Sequence, residues 1–171
     1  MLVGGNVVED AGRERQVDAP FRRRQTRASV ECEARDASRS LGGEGPFDRV
    51  LVDAPCSGIG ALRRNPEARW RLAEEDLRRL PAQQRAIAQR AQSLVAPGGR
   101  LIYATCTLLR EENEEVVATL GGAGWEPMRV AEIWGTERAL RVSEVTGTYL
   151  KLRPDRHDTD GFFATVLRRV R

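Results

Sequence analysis

Phe47-Asp48-Arg49-Val50-Leu51-Val52-Asp53-Ala54-Pro55-Cys56-Ser57-Gly58 and Pro97-Gly98-Gly99-Arg100-Leu101-Ile102-Tyr103-Ala104-Thr105-Cys106-Thr107 are the two stretches whose reading decides the fold. Each contains a short apolar run, 47–52 and 100–105, that reads as a buried strand. Each strand ends just ahead of a cysteine. Between them one helix is expected from about Glu74 to Val95, interrupted or restarted at Pro81 and stopped by Gly98-Gly99. Its apolar stripe is Leu77, Leu80, Ile87, Ala91, Leu94 and Val95. Strand, helix and strand in this order form a βαβ unit, whose crossover makes the two strands parallel. Both cysteines then leave the same carboxyl edge of one sheet. Adjacent strands would start them from backbones only ~5 Å apart. That edge is where open α/β sheets bind ligands.

Outward from this unit, Glu111 to Leu120 reads as a further helix, with Glu111, Glu112 and Glu114 serving the helix dipole. Residues 147–152 and 162–170 are β-like around a loop at 153–161, which predicts a hairpin at the sheet edge. Phe162 and Phe163 alternate faces, so one belongs to the core. Upstream, 11–29 is polar and arginine-rich, with Pro20 in its middle; a broken helix or a disordered arm both fit. Ser29 to Glu33 reads as a weak strand leading to Asp36, and Ser38 to Pro46 as a Gly-rich loop. The fold class is α/β, with antiparallel strands at the C-terminal edge. There is no internal repeat and no linker.

The 171 residues make about one domain. Charged residues are 31% of the chain and no apolar run is long enough for a membrane span. The first residues lack the apolar core of a signal peptide. Three cysteines, an odd number, do not make a secreted disulfide framework, and a reducing cytoplasm fits better. A net charge of +3 permits an RNA partner without establishing one. Lys151 is the sole lysine, a bias that a GC-rich genome explains more simply than phosphate binding does.

Several chemistries are open to two thiols at one edge. A thiolate is a strong nucleophile once its pKa falls, and Cys106, just ahead of a helix start near Arg110, is placed for that help. A Cys-His protease requires the C-terminal loop to bring His157 back. Zinc needs more ligands than two cysteines and one histidine readily supply, so no metal is expected. A redox pair has no Cys-x-x-Cys spacing behind it. One reaction uses the whole inventory. Carbon 5 of a pyrimidine is too electron-poor to attack a methyl sulfonium, but thiolate addition at carbon 6 makes it nucleophilic. That reaction needs a nucleophile, a carboxyl group beside ring N3 and a release group. Cys106, Asp53 and Cys56 match these jobs.

From about Ala34 to Val170 the chain resembles the Sun/RsmB-type RNA cytosine-5 methyltransferases, which use S-adenosylmethionine. The likeness rests on Asp53-Ala54-Pro55-Cys56-Ser57-Gly58 together with Ala104-Thr105-Cys106-Thr107. Leu62-Arg63-Arg64-Asn65-Pro66 with Trp70, Glu111-Glu112-Asn113-Glu114 and Asp158-Thr159-Asp160-Gly161-Phe162-Phe163 match as well. The resemblance implies Cys106 as nucleophile, Cys56 as the residue assisting release, and Asp53 at the cofactor and target base. It implies Asp36 near the adenine of the cofactor and Asp10 as its ribose ligand. The RNA would be ribosomal or transfer RNA. The family's Pro-Gly-Gly-Lys-Thr type cofactor loop is absent from this sequence. Residues 1–33 therefore read as a poorly matched N-terminal segment, and 34–171 as the C-terminal part of a Rossmann-like methyltransferase domain lacking its first strand.

Each residue also has a plainer reading. Cys32 is a small buried apolar residue. Arg63 and Arg64 are either a solvated basic surface or contacts to RNA phosphates. Trp125 and Trp134 read as core or interface, and His157 as a loop residue shaping the hairpin. The whole chain has an alternative as a non-catalytic member that binds RNA weakly or pads a larger assembly.

Overall fold

The structure is a computed structural model that describes residues 2–4, 46–143 and 147–170. The expectations for residues 5–45, among them Asp10, Cys32 and Asp36, lie outside these residues.

Among the described residues, six strands form one sheet. Strand β1 (Leu2–Gly4) pairs parallel with β2 (Phe47–Asp53), which pairs parallel with β3 (Val95–Thr105). Strand β6 (Phe162–Arg169) runs antiparallel along the far side of β3. Its outer edge is shared by two short antiparallel strands, β4 (Trp125–Pro127) toward its end and β5 (Tyr149–Leu152) toward its start. The predicted parallel pair and the C-terminal hairpin are both present. Beside β2 lies β1, which occupies backbone groups that β2 would otherwise leave unpaired.

Strand β3 begins earlier than the apolar pattern indicates. Pro97-Gly98-Gly99 does not merely stop the helix; it lies inside extended chain, with a register shift where Phe47 and Arg49 face Val95 and Arg100. Gly98, at φ 77°, supplies the bend.

The helix α2 (Glu74–Ser93) is continuous, contrary to the interruption expected at Pro81. A proline ring removes one N–H from the ladder, and here the ring is buried while the turns on either side stay helical. Asp76 reaches back to accept the Ala73 N–H at 3.0 Å, closing the helix start. The short helix α1 (Ala68–Arg71) precedes it. The helix expected over 111–120 is broken in two: a 3-10 turn at Arg110–Glu112, then α3 (Glu114–Ala118). The break falls at Asn113, whose side chain is engaged elsewhere. Helices α4 (Val130–Trp134), α5 (Thr136–Ala139) and α6 (Pro154–His157) follow.

The main core joins Val50, Val52, Leu101 and Tyr103 of the sheet to Ile87, Ala88 and Ala91 of α2 and to Val116, Val117 and Leu120. Alternation along β6 divides its side chains. Phe163 and Leu167 enter this core, while Phe162 and Ala164 pack on a second cluster with Val130, Ala139 and Leu150. Trp125 packs against the main core, but Trp134 stands 48% exposed and is no core residue.

Candidate active site

The site begins where β2 and β3 end together. Asp53 faces Ala104 in the parallel register, and the Ala54 N–H donates to the Ala104 carbonyl at 3.0 Å. The two chains then turn outward in step, which brings Cys56 Sγ within 3.4 Å of Cys106 Sγ. Cys56 is half-buried and Cys106 faces solvent. Asp53 is exposed at the same edge, close enough for its charge to act on Cys106.

The residue after each cysteine joins its partner. Thr107 Oγ1 donates to Glu112 Oε1 at 3.2 Å and lies 2.8 Å from Ser57 Oγ, which therefore donates to it. Glu112 Oε2 accepts the Ser57 N–H at 2.9 Å and the Gln84 amide at 2.8 Å. The same Gln84 nitrogen donates to the Pro55 carbonyl at 2.8 Å. Asn113 spans the other side, accepting from Thr105 Oγ1 at 2.6 Å and donating to the Thr107 carbonyl at 3.1 Å. Tyr103 donates its hydroxyl to the Glu112 carbonyl at 2.7 Å. Glu112 is wholly buried.

A third segment closes on these turns. The Gly60 N–H donates to the Cys106 carbonyl at 3.0 Å, and the Gly161 N–H to the Gly60 carbonyl at 2.8 Å. The chains touch so closely that a Cβ on Gly60 would lie 2.3 Å from the Gly161 oxygen. Arg63 and Arg64 reinforce the contact through pairs with Asp158 and Asp160, both at 3.0 Å. Both arginines keep much of their side chain in solvent, so a second role on the surface stays open to them.

The hydrogen bond between the sulfurs couples the two thiols. The hydrogen bond from Cys56 lowers the Cys106 thiol to about 7, against the opposing effects of burial, Asp53 and Glu112. The same bond, followed by burial, raises Cys56. The more exposed sulfur is the one that carries the charge. The lowering comes first from the partner sulfur and not from a helix N-terminus as expected, since no helix starts directly at Cys106: the 3-10 turn begins at Arg110 and α3 at Glu114.

His157 Nδ1 accepts the Arg153 N–H at 2.9 Å and holds α6 in shape, which leaves the Cys-His protease reading without support. Among the described residues no group of three metal-ligating side chains occurs. Nor is any helix among them long and apolar enough to cross a membrane. A cleft of about 350 Å³ opens beside Thr107 and Leu108, walled by Lys151, Arg153 and Phe162.

Asp53, Cys56 and Cys106 thus meet as the spacing predicts, with Arg63 and Arg64 on the adjoining turn. Glu112 is the residue that sequence reasoning misread, and Asn113 is one to which it gave no role of its own. Their acidic context fits a helix start equally well, and only the break at Asn113 turns Glu112 inward.

The family described as 16S rRNA methyltransferase RsmB/F matches residues 7–168. The chain is similar to ribosomal RNA small subunit methyltransferase B of Vibrio vulnificus, 36% identical over 160 residues, covering 92% of this chain and 34% of that one. It is 35% identical over 124 residues to ribosomal RNA small subunit methyltransferase F of Cronobacter sakazakii, covering 72% of this chain and 26% of that one. The crystal structure of NSun6 from Pyrococcus horikoshii with SFG superposes with a TM-score of 0.63 at 26% identity, covering 83% of this chain and 34% of that one. The chain spans between 26% and 34% of the length of these curated relatives.

Proposed function

Because this chain belongs to the RsmB/F family of 16S rRNA methyltransferases, we propose that it carries the thiol half of a site that methylates carbon 5 of a cytosine in ribosomal RNA. The observation that carries the reading is the contact of Cys56 Sγ with Cys106 Sγ at 3.4 Å beside Asp53. Cys106, a thiolate near neutral pH, adds to carbon 6 of the base. The carbon 5–carbon 6 π electrons move into the ring, and a proton shared between the Asp53 carboxyl group and N3 takes up the charge that arrives there. Carbon 5 is then nucleophilic. S-adenosylmethionine, when bound, supplies the methyl group. Carbon 5 next gives up its proton to water or another base, the carbon 5–carbon 6 double bond re-forms as the carbon 6–sulfur bond breaks, and Cys106 leaves as thiolate. Cys56 assists this release. The target base must leave its stack to reach the sulfur.

The carboxyl edge suits the cofactor at one end. Asp53 is exposed there, and Gly4, which has no Cβ, lies opposite it on β1. Asp53 would face the cofactor beside the target base, with Asp36 and Asp10 as the adenine and ribose ligands. SFG, an S-adenosylmethionine analogue, accompanies the archaeal NSun6 structure and supports this choice. Arg63 and Arg64 are proposed contacts to RNA phosphates. The chemistry needs free thiols and therefore a reducing compartment such as the cytoplasm.

The test is a denaturing gel of each variant with ribosomal or transfer RNA and S-adenosylmethionine. Cys106→Ala should form no covalent complex. Cys56→Ala should add and methylate but eliminate slowly, leaving a complex that survives denaturation. The reverse pattern would exchange the two roles. RNA retention without any covalent complex in either the parent chain or Cys56→Ala would instead favour a non-catalytic RNA-binding module.

A further inference from the structure

We propose that the buried carboxylate of Glu112 is a positioning residue that clamps the Cys56 turn to the Cys106 turn and so keeps their sulfurs in contact. Its geometry on this chain carries the inference; the catalytic consequence rests on the methyltransferase reading above.

Glu112 comes from neither cysteine turn, yet it bonds to both. One oxygen takes the N–H of Ser57, the residue after Cys56, at 2.9 Å. The other takes the hydroxyl of Thr107, the residue after Cys106, at 3.2 Å. The residue before Cys56 is fixed through the same group. Gln84 shares its amide nitrogen between Glu112 Oε2 and the Pro55 carbonyl, at 2.8 Å each. Cys56 is thus held on both sides. Gln84 Oε1 is meanwhile buried without a partner. An amide that leaves its own oxygen unpaired is turned by a stronger demand elsewhere, and the carboxylate is that demand. Tyr103 fixes Glu112 in turn through its backbone carbonyl at 2.7 Å.

The position would be hard to justify by charge alone. Cys106 is faced by Cys56 from the turn after β2, by Asp53 from the end of β2 and by Glu112 from the segment after β3. The Glu112 charge opposes a thiolate at Cys106; the Cys56 contact that Glu112 maintains favours it. The two roles therefore predict opposite signs for the same substitution. A charge that merely repels would, once removed, let Cys106 ionise at lower pH. A clamp, once removed, frees the sulfurs to separate, and Cys106 returns toward the ordinary cysteine value of about 8.5.

The experiment is the pH dependence of iodoacetamide alkylation at Cys106 in the 171-residue chain, read by mass spectrometry from pH 5 to 10. It needs neither RNA nor cofactor, so its outcome is separate from that of the methyltransferase reading. The expected result is an upward move of the inflection in Glu112→Ala, with alkylation at pH 7 falling roughly tenfold. In a Cys56→Ala background Glu112→Ala should produce no such rise, because the contact it protects is already gone. An inflection that falls or stays in place overturns the proposal, and so does a rise that persists without Cys56. Should Glu112→Ala fail to fold, Thr107→Val cuts the link to the Cys106 turn while leaving the buried carboxylate. That variant should also raise the inflection, and a fall or no change would likewise overturn the clamp.

Discussion

Two sulfurs in contact hold one proton more readily than two, because the second sulfur to lose its proton does so beside an existing negative charge. Cys106 is the sulfur that ionises first, with its thiol lowered to about 7 by the Cys56 hydrogen bond. Below that pH it is a thiol, and above it a thiolate. Removing the donor removes the help, so Cys56→Ala should push the Cys106 inflection upward and slow its alkylation at pH 7 roughly tenfold. Iodoacetamide rates followed across pH measure the shift, and an inflection still near 7 would mean that the charge has another source. The cysteine pair is legible in the sequence, because two strands of one βαβ unit must end at one edge. Glu112 is not. A glutamate in a run of acidic residues at a helix start satisfies the helix dipole on paper, and nothing in the run says which one turns inward.

Between elements, the critical contact is made by backbone. Gly60 donates to the Cys106 carbonyl and accepts from the Gly161 N–H, so the turns after β2 and β3 and the turn before β6 meet at one residue. A methyl group at Gly60 would meet the Gly161 oxygen at 2.3 Å and the Cys106 oxygen at 2.7 Å, both backbone atoms that no side-chain rotation can clear. Gly60→Ala should cost about 1–3 kcal/mol or more, the range of overpacking, as the denaturant midpoint of the variant would report. Such a glycine reads in sequence as a loose turn, which is how Gly60 reads beside Gly58. Its tight packing depends on a segment a hundred residues away. Strand β2, by contrast, shows its length through its apolar run at 47–52, whereas β3 starts five residues before its own run at 100–105. Pro81 misleads because proline signals an interruption only when the helix around it has no other support. Here the apolar face of α2, with Ile87, Ala88 and Ala91, is buried on the sheet.

Across the whole molecule, the three turns put the thiols, Asp53 and the paired arginines on one rim. Arg63 and Arg64 are neutralised by Asp158 and Asp160 in the free chain. RNA phosphates would compete for the same guanidinium groups. Replacing both arginines with alanine should weaken RNA binding across sequences. It should also reduce the slope of log affinity against log salt by about 1.4, two contacts at ~0.7 each for a single strand. Filter binding at several salt concentrations measures it, and an unchanged slope would return both arginines to a purely structural role. Their stability contribution should be small, since exposed ion pairs are worth about 0–1 kcal/mol.

The parallel pairing of β2 with β3 has a consequence in time. The β5–β6 hairpin closes over a short connection, whereas β2 and β3 can meet only after the intervening helix has crossed the sheet, and Cys56 is 50 residues from Cys106. Loops of that length close at an entropic cost that must be met before any pairing rewards it, which makes such contacts late ones. A refolding chain should therefore pass through a stage with native-like hairpin structure and two ordinary, slow-reacting thiols. A pulse of iodoacetamide at pH 7 during refolding should find Cys106 reactive only in the slowest phase. Cys106, the proposed nucleophile, would then be the last part of the molecule to mature, and a chain arrested halfway would carry no activated sulfur.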